Sequence, residues 1–315
     1  MNEILRLKED YYKGLMTKID YALAIGNKLK TLKDVNQAME GTIVEEIRII
    51  KNDTIFYIKL PYEDIQLKLS CDAAGLSGIP ECFIAFKDVE YSELKLISKL
   101  IENGDVIFDV GANVGWYSIT LKMLFSNIKV YSFEPIPSTF NILKKNLLLN
   151  DQHDDLAFNY GLSDINDSIE FYFDNNFPAA SSIKNLEYTS DVQPLTCTVR
   201  RMDDFIDENN IQKLDFIKCD VEGAELLVMK GGLKSIEKFK PVIFLEMLRK
   251  WTRKFDYHPN DIITLLKSIG YKCFVIDDND QLMKFEYVDD DTVFTNYFFI
   301  HNSKEHMYSD VTAKG

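Results

Sequence analysis

Cysteine is scarce in this chain and poorly spaced for structural chemistry. Cys71, Cys82, Cys197, Cys219 and Cys273 are odd in number and never fall as CxxC. That excludes a zinc ribbon or a disulfide framework and suits a reducing compartment. Basic charge is also short. The 36 Lys and Arg face 50 Asp and Glu, for a net charge of −14. Such a chain repels a phosphate backbone, so nucleic acid is excluded as a bulk partner. Long apolar runs are missing: none nears the ~20 residues that span a bilayer. The opening MNEILRLKEDYYKGL mixes charges and has no apolar core of a secretory signal. A cytoplasmic protein with no membrane span is expected. What is present is 46% apolar residues over 315 positions. That suffices for one large domain with an extension, or two small domains.

Residues 1–40 read as helical, with Leu5, Leu15, Ile19, Leu23 and Leu29 near helical spacing. Residues 42–69 read as a β-hairpin around Lys51-Asn52-Asp53, and 70–90 as loop. After a helix near Glu90–Glu102 the rhythm changes to short apolar strands alternating with amphipathic helices, the pattern of parallel βαβ units. Strands are expected at DVIFDVG, IKVYSFEP, DLAFNYGLSD (a strand with its exit loop), DSIEFYF, LTCTV, LDFIKCD, PVIFLEML, YKCFVI and TVFTNYFFI. Helices are expected at Trp116–Phe125, Ser138–Asn150, Met202–Asn209, Glu222–Gly231 and His258–Ser268. In the second of these, Phe140, Leu143, Leu147 and Leu148 are assigned to the buried side. Residues 174–194 read as polar and irregular.

Asp109-Val-Gly111-Ala-Asn113-Val-Gly115 falls where a strand should turn into a helix. Glycine there permits positive φ and close approach of backbone to a ligand, and the helix behind offers free N–H groups. The spacing is not the GxGxxG of pyrophosphate-binding dehydrogenases. It suits a nucleoside with a small polar tail. The next strand ends at Glu134, where an acid can accept ribose hydroxyls.

The motifs VIFDVGANVGWYS, YSFEP, YGLSD and FIKCDVEGAE resemble the FkbM family of S-adenosylmethionine-dependent methyltransferases. The resemblance covers about residues 90–300. It implies an α/β class I methyltransferase domain at 90–303, a Rossmann-like sheet of seven strands with the last antiparallel, flanked by helices. Residues 1–89 are then a helix plus β-hairpin extension, a cap or a homodimer contact, and 304–315 a tail. The family implies S-adenosyl-L-methionine, with S-adenosyl-L-homocysteine as product, on Asp109, Gly111, Asn113, Gly115 and Glu134, with the adenine near Leu162 and Ser163.

Lys218-Cys-Asp220-Val-Glu222-Gly-Ala-Glu225 sets three carboxylates directly behind an apolar strand. On a class I sheet the strand ending at Asp220 lies beside the glycine-loop strand, and the strand ending at Glu246 beside that. Asp220, Glu222 and Glu246 are therefore the candidate catalytic acids, able to take a proton from an acceptor hydroxyl. Asp220 and Glu222, two apart, face the same way if the backbone is extended. Glu225 reads as a helix-start acid. An alternative gives Asp220, Glu222 and Glu246 to magnesium or calcium, though no metal is assigned. Beyond Glu246, Arg249, Lys250, Arg253 and Lys254 surround Trp251. Arg249, Trp251, Arg253 and His258 are candidate contacts for a phosphorylated or uronate-bearing sugar. His258 is alternatively a base or a helix-start residue.

The expected activity is O-methylation of a sugar hydroxyl in a surface glycan or its precursor. N-methylation of an amino sugar or amino acid, or methylation of a secondary metabolite, stays open. So does a non-enzymatic nucleoside-binding module.

Overall fold

The computed structural model describes residues 3–50, 53–60, 63–72, 79–86, 90–153, 155–174 and 192–313. The N-terminal helical stretch is two helices, α1 (Glu3–Tyr12) and α2 (Lys18–Ala38). Thr17 separates them by capping α2, its hydroxyl accepting from the Asp20 N–H at 3.1 Å. An antiparallel sheet follows: β1 (Val44–Ile50), β2 (Asp53–Lys59) and β3 (Gln66–Asp72). The third strand corrects the expected hairpin. Leu67 and Leu69 alternate with Gln66 and Lys68, and both leucines are fully buried. Within the supposed loop at 70–90 lies a helix, α3 (Ile79–Phe86). Its proline, Pro80, stands in the first turn, where a missing N–H costs nothing. Helix α4 (Tyr91–Leu100) comes next.

The remaining elements are β4 (Val106–Val110), α5 (Trp116–Leu124), β5 (Lys129–Phe133), α6 (Pro137–Leu149), β6 (Ala157–Phe158), β7 (Gly161–Ser163), β8 (Asp167–Asp174) and β9 (Val192–Arg201). Then come α7 (Met202–Glu208), β10 (Phe216–Cys219), α8 (Glu225–Gly231), α9 (Leu233–Phe239), β11 (Val242–Glu246), α10 (Arg249–Thr252), α11 (Pro259–Ser268), β12 (Tyr271–Ile276), β13 (Leu282–Phe285) and β14 (Asn296–His301). The irregular stretch read at 174–194 lies almost wholly outside the described residues.

The central sheet runs β13-β12-β14-β11-β10-β4-β5-β6. Strand β14 is antiparallel to both its neighbours, while β11, β10, β4, β5 and β6 are mutually parallel. This is the class I methyltransferase sheet, seven strands with the last one reversed. An eighth strand, β13, is added at the edge by a hairpin whose Asp277 carboxylate accepts from the N–H groups of Asn279 and Gln281. The DLAFNYGLSD stretch is not one strand. Its first half ends the central sheet as β6, and its second half, β7, pairs with β9 in a separate three-stranded sheet, β7-β9-β8. Leu148 is 61% exposed, so the buried side of α6 is set by Leu143 and Leu147.

Period-2 alternation distributes the core over both faces of the sheet. Val242 and Phe244 face one side, with Phe298 and Ile300. Ile243 and Leu245 face the other, with Tyr297 and Phe299. The N-terminal sheet joins the first of these cores through Phe56, Ile58, Leu67 and Leu69. It docks on α6. Asn150 exchanges two bonds with the Lys68 backbone, at 2.8 and 2.7 Å. Asn146 accepts from the Ser70 N–H at 2.7 Å and donates to Val114 O at 2.9 Å. One buried amide thus ties β3 to the glycine loop. Among the described residues no helix is long and apolar enough to cross a membrane.

Candidate active site

The parallel strands deliver their last residues to one edge, as topology requires of an open α/β sheet. Reading across β5, β4, β10 and β11, that edge carries Glu134, Asp109 to Gly111, Asp220 and Glu246.

Gly111 (φ 76°) is the tightest point. A Cβ there would lie 1.9 Å from the Asp220 carbonyl oxygen, so only glycine lets the two strand ends approach this closely. Asn113 (φ 49°) and Gly115 (φ 96°) complete the turn. The Asn113 N–H donates to Glu134 Oε2 at 3.0 Å, and the Ile136 N–H to Glu134 Oε1 at 2.9 Å. Glu134 is 5% exposed. Burial pushes its carboxyl up to about 7, against the pull of those two N–H groups and Lys218.

A cavity opens along this edge. Gly111, Asn113 and Glu134 line its polar wall, and Ile136, Leu162 and Phe171 its apolar wall; Asp220 and Glu222 also line it. The buried Asn113 Oδ1 has no hydrogen-bond partner. An acid with lone pairs left, an orphaned amide oxygen, a glycine cradle and an apolar slot form an acceptor set and an apolar wall that fit a nucleoside. Three predicted cofactor residues sit behind this wall. Asp109 is buried and accepts from the Ser118 hydroxyl at 2.5 Å. Gly115 begins α5, packed against Leu143 and Ile119. Ser163 also stands outside the lining, its carbonyl pressed against Gly231 and its hydroxyl 3.3 Å from Asp164.

Asp220, Glu222 and Glu246 come together, with one oxygen of each within 4.8 Å of the others. Among the described residues this is a group of acids close enough to hold a cation. The route differs from the extended backbone predicted. Glu222 is left-handed (φ 52°) and Gly223 follows at φ 101°, so a tight turn brings Glu222 back to Asp220. Burial, then the charge of Asp220, pushes the carboxyls of both Glu222 and Glu246 well up. Glu225 holds this turn from beneath. It is 1% exposed, and its Oε1 accepts from the Val221 and Gly223 N–H groups at 3.2 and 3.0 Å. The Tyr257 hydroxyl reaches its Oε2 at 3.0 Å.

Lys218, Glu90, Tyr117 and Phe171 were missed from the sequence. Lys218 is 4% exposed; it donates to Gly111 O at 2.8 Å and lies 3.6 Å from the carboxylates of both Asp109 and Asp220. Burial pulls its pKa down, but Asp220, Asp109 and Glu90 outweigh burial and leave it raised. A lysine inside an otherwise apolar strand was the available signal. Glu90 enters from the left-handed position (φ 55°) before α4. Burial and the nearby Asp220 push it up to about 7. Buried Tyr117 lies beside the same acids, which with burial raise its phenol. Phe171 had no signal, because β8 belongs to a separate sheet.

The basic segment after β11 is used differently from the prediction. The Arg249 guanidinium is spent on its own chain, bonding Asp289 O, Thr292 O at 3.1 Å and Asp290 at 3.4 Å. Trp251 is buried, with Lys250 Nζ 3.9 Å from its ring centroid, and its Cβ packs against Gly223. It offers no free face to a sugar. His258 caps α11, with Nδ1 accepting from the Asn260 N–H at 3.3 Å and Asp261 returning the bond. Arg253 remains exposed.

A family model described as the methyltransferase FkbM domain matches residues 109–273, from the strand before the glycine loop to β12. Among curated relatives, methyltransferase sdnD of Sordaria araneosa is 28% identical over 185 residues, covering 50% of this chain and 71% of that protein. Hexuronic acid methyltransferase AglP of Haloferax volcanii is 28% identical over 156 residues, covering 49% of this chain and 61% of that protein. The 2-O-methyltransferase NoeI of Sinorhizobium fredii is 27% identical over 157 residues, covering 46% and 64%. The chain thus spans under two thirds of the latter two proteins. With more than half its length matched, the chain belongs to the FkbM family of methyltransferases.

Proposed function

We propose that this chain transfers a methyl group from S-adenosylmethionine to a hydroxyl of a sugar, in a glycan or its nucleotide- or phosphate-linked cytoplasmic precursor. The observation that carries this reading is one cavity lined both by Glu134 and by the Asp220–Glu222 acids. When bound, S-adenosylmethionine supplies a methyl group on a cationic sulfonium. Glu134 accepts ribose hydroxyls with the lone pairs its two N–H bonds leave over. Ile136, Leu162 and Phe171 receive the faces of an adenine. Asp220, on the same wall, gives the cavity negative charge suited to a cation.

On the acceptor side, Asp220, Glu222 and Glu246 cannot all be ionised so close together. A carboxylic acid among them donates to an acceptor oxygen, while an ionised neighbour orients the reacting hydroxyl and takes its proton. Holding nucleophile and methyl in line supplies much of the rate. Lys250, whose charge is felt by Glu222, and exposed Arg253 suit an acceptor bearing phosphate or carboxylate. Two relatives, one named for hexuronic acid and one for 2-O-methylation, support a sugar acid and an oxygen acceptor over an amine.

The experiment is incubation with methyl-labelled S-adenosylmethionine and a panel of sugar nucleotides, uronates included, followed by a glycan extract. Label on a sugar oxygen is expected. Label confined to amines or lipid-soluble metabolites would overturn the sugar reading. Inhibition by a chelator would assign the three acids to a cation instead.

A further inference from the structure

We infer that the N-terminal sheet is a working part of the nucleoside site, and that Asn146 is the positioning residue through which β3 holds the glycine loop for S-adenosylmethionine. The inference rests on the cofactor reading proposed above. The family-matched region starts at residue 109, so β3 is supplied from outside it.

Asparagine is a weak helix former, because its amide competes for backbone groups. Asn146 nevertheless stands inside α6 and is fully buried. A buried amide needs partners at both ends, and this one finds them on two segments distant in the chain. Its Oδ1 accepts from the Ser70 N–H of β3 at 2.7 Å, and its Nδ2 donates to the Val114 carbonyl at 2.9 Å. The Ser70 N–H sets the direction of the amide. Turned over, the amide would point NH2 at an N–H and oxygen at a carbonyl. Val114 is 1% exposed, so water cannot stand in for the lost donor.

Val114 lies between Asn113 and Gly115, both left-handed. On one side, the Asn113 N–H donates to Glu134 Oε2 at 3.0 Å, and Asn113 and Glu134 both line the cavity. On the other, a Cβ on Gly115 would lie 2.7 Å from Leu143, which precedes Asn146 on α6. Helix α6 thus grips two consecutive loop residues, one by packing and one by a hydrogen bond. The sheet end of the link is clamped as well. The buried Ser70 hydroxyl donates to Asp53 Oδ1 at 2.5 Å, and Lys145 pairs with Asp53 Oδ2 at 2.7 Å.

Asn150 supplies the control. Its side chain also ties β3 to α6, but its three bonds go to the Lys68 backbone and to Asn146 O, not to the loop. Asn146→Ala and Asn150→Ala are compared in the full chain by thermal midpoint, amide hydrogen exchange and calorimetric titration with S-adenosylhomocysteine. Both variants are expected to have a lower midpoint than wild type. Only Asn146→Ala is expected to quicken exchange at residues 111–115 and to weaken S-adenosylhomocysteine by about tenfold, the shift of one net hydrogen bond. If Asn146→Ala does not fold, Asn146→Ser, too short to reach both partners, takes its place with the same expected outcome. Equal loop exchange in the Asn146 and Asn150 variants, or equal affinity while the wild type binds, overturns the inference. A wild type that binds no S-adenosylhomocysteine refutes the cofactor reading instead, and loop exchange alone then decides whether Asn146 holds the loop.

Discussion

Lys218 donates a hydrogen bond to the Gly111 carbonyl at 2.8 Å, and the same ammonium stands 3.6 Å from the carboxylates of Asp109 and Asp220. One buried cation therefore ties the glycine loop to the acid on the neighbouring strand. Removing one partner of a buried ion pair typically costs about 3–5 kcal/mol, because the other charge stays buried alone. Lys218→Met is expected to lose stability of that order in denaturant unfolding. An unchanged unfolding midpoint would mean that the acids are neutralised some other way.

Glu134 uses both oxygens to hold loop N–H groups and still lines the cavity. Glu134→Ala should weaken S-adenosylhomocysteine binding by about 1.5–3 kcal/mol, the range for hydrogen bonds to charged groups. Calorimetric titration measures this. Equal affinities for variant and wild type would remove Glu134 from the nucleoside site.

Gly111 faces the Asp220 carbonyl with no room for a side chain. Gly111→Ala must separate β4 from β10 at their ends, besides straining a positive φ. Titration with S-adenosylhomocysteine is expected to show binding lost, and a thermal scan a lower midpoint. A variant that binds normally would contradict the close approach.

Several buried and half-buried acids make stability depend on pH. Burial raises Glu90, Glu134 and Glu225 from 4.5 to about 7, and raises Glu222 and Glu246 further. A raised acid binds its proton more tightly in the folded state. Its contribution is complete below the unfolded value and is lost as pH rises towards the folded one. His301, lowered mainly by partial burial, works in the opposite sense near neutrality, one group against five. The thermal midpoint of the unliganded protein should therefore fall between pH 5 and pH 8, and Glu246→Gln should flatten the slope. A midpoint that climbs over this interval would refute the raised acids of this half-buried cluster.

Most of the central sheet was legible because each strand is a short apolar run bounded by turn residues. Reading Asp220 beside Gly111 and Glu246 beyond it needed the strand order that the family resemblance implies, and β4-β10-β11 has that order. What escaped depended on contacts between distant segments. Strand β3 is stabilised by pairing with β2 and by the amides of Asn146 and Asn150, none of which local pattern reveals. Trp251 looked like a platform for a sugar, yet Gly223 leaves a space that its Cβ and the Phe255 ring fill. His258 reads as a base or as a helix start, and with Asp261 three residues later it forms the capping box of a helix start.

The most direct measurement is methyl transfer by Asp220→Asn and Glu246→Gln, with S-adenosylhomocysteine affinity determined on the same samples. If these acids stand on the acceptor side, label transfer to the sugar should fall by about 10²–10⁴-fold, the range for a lost general base, in at least one variant. Affinity should stay within a few-fold of wild type. Transfer that persists in both variants, or affinity that falls in step with transfer, would contradict that assignment.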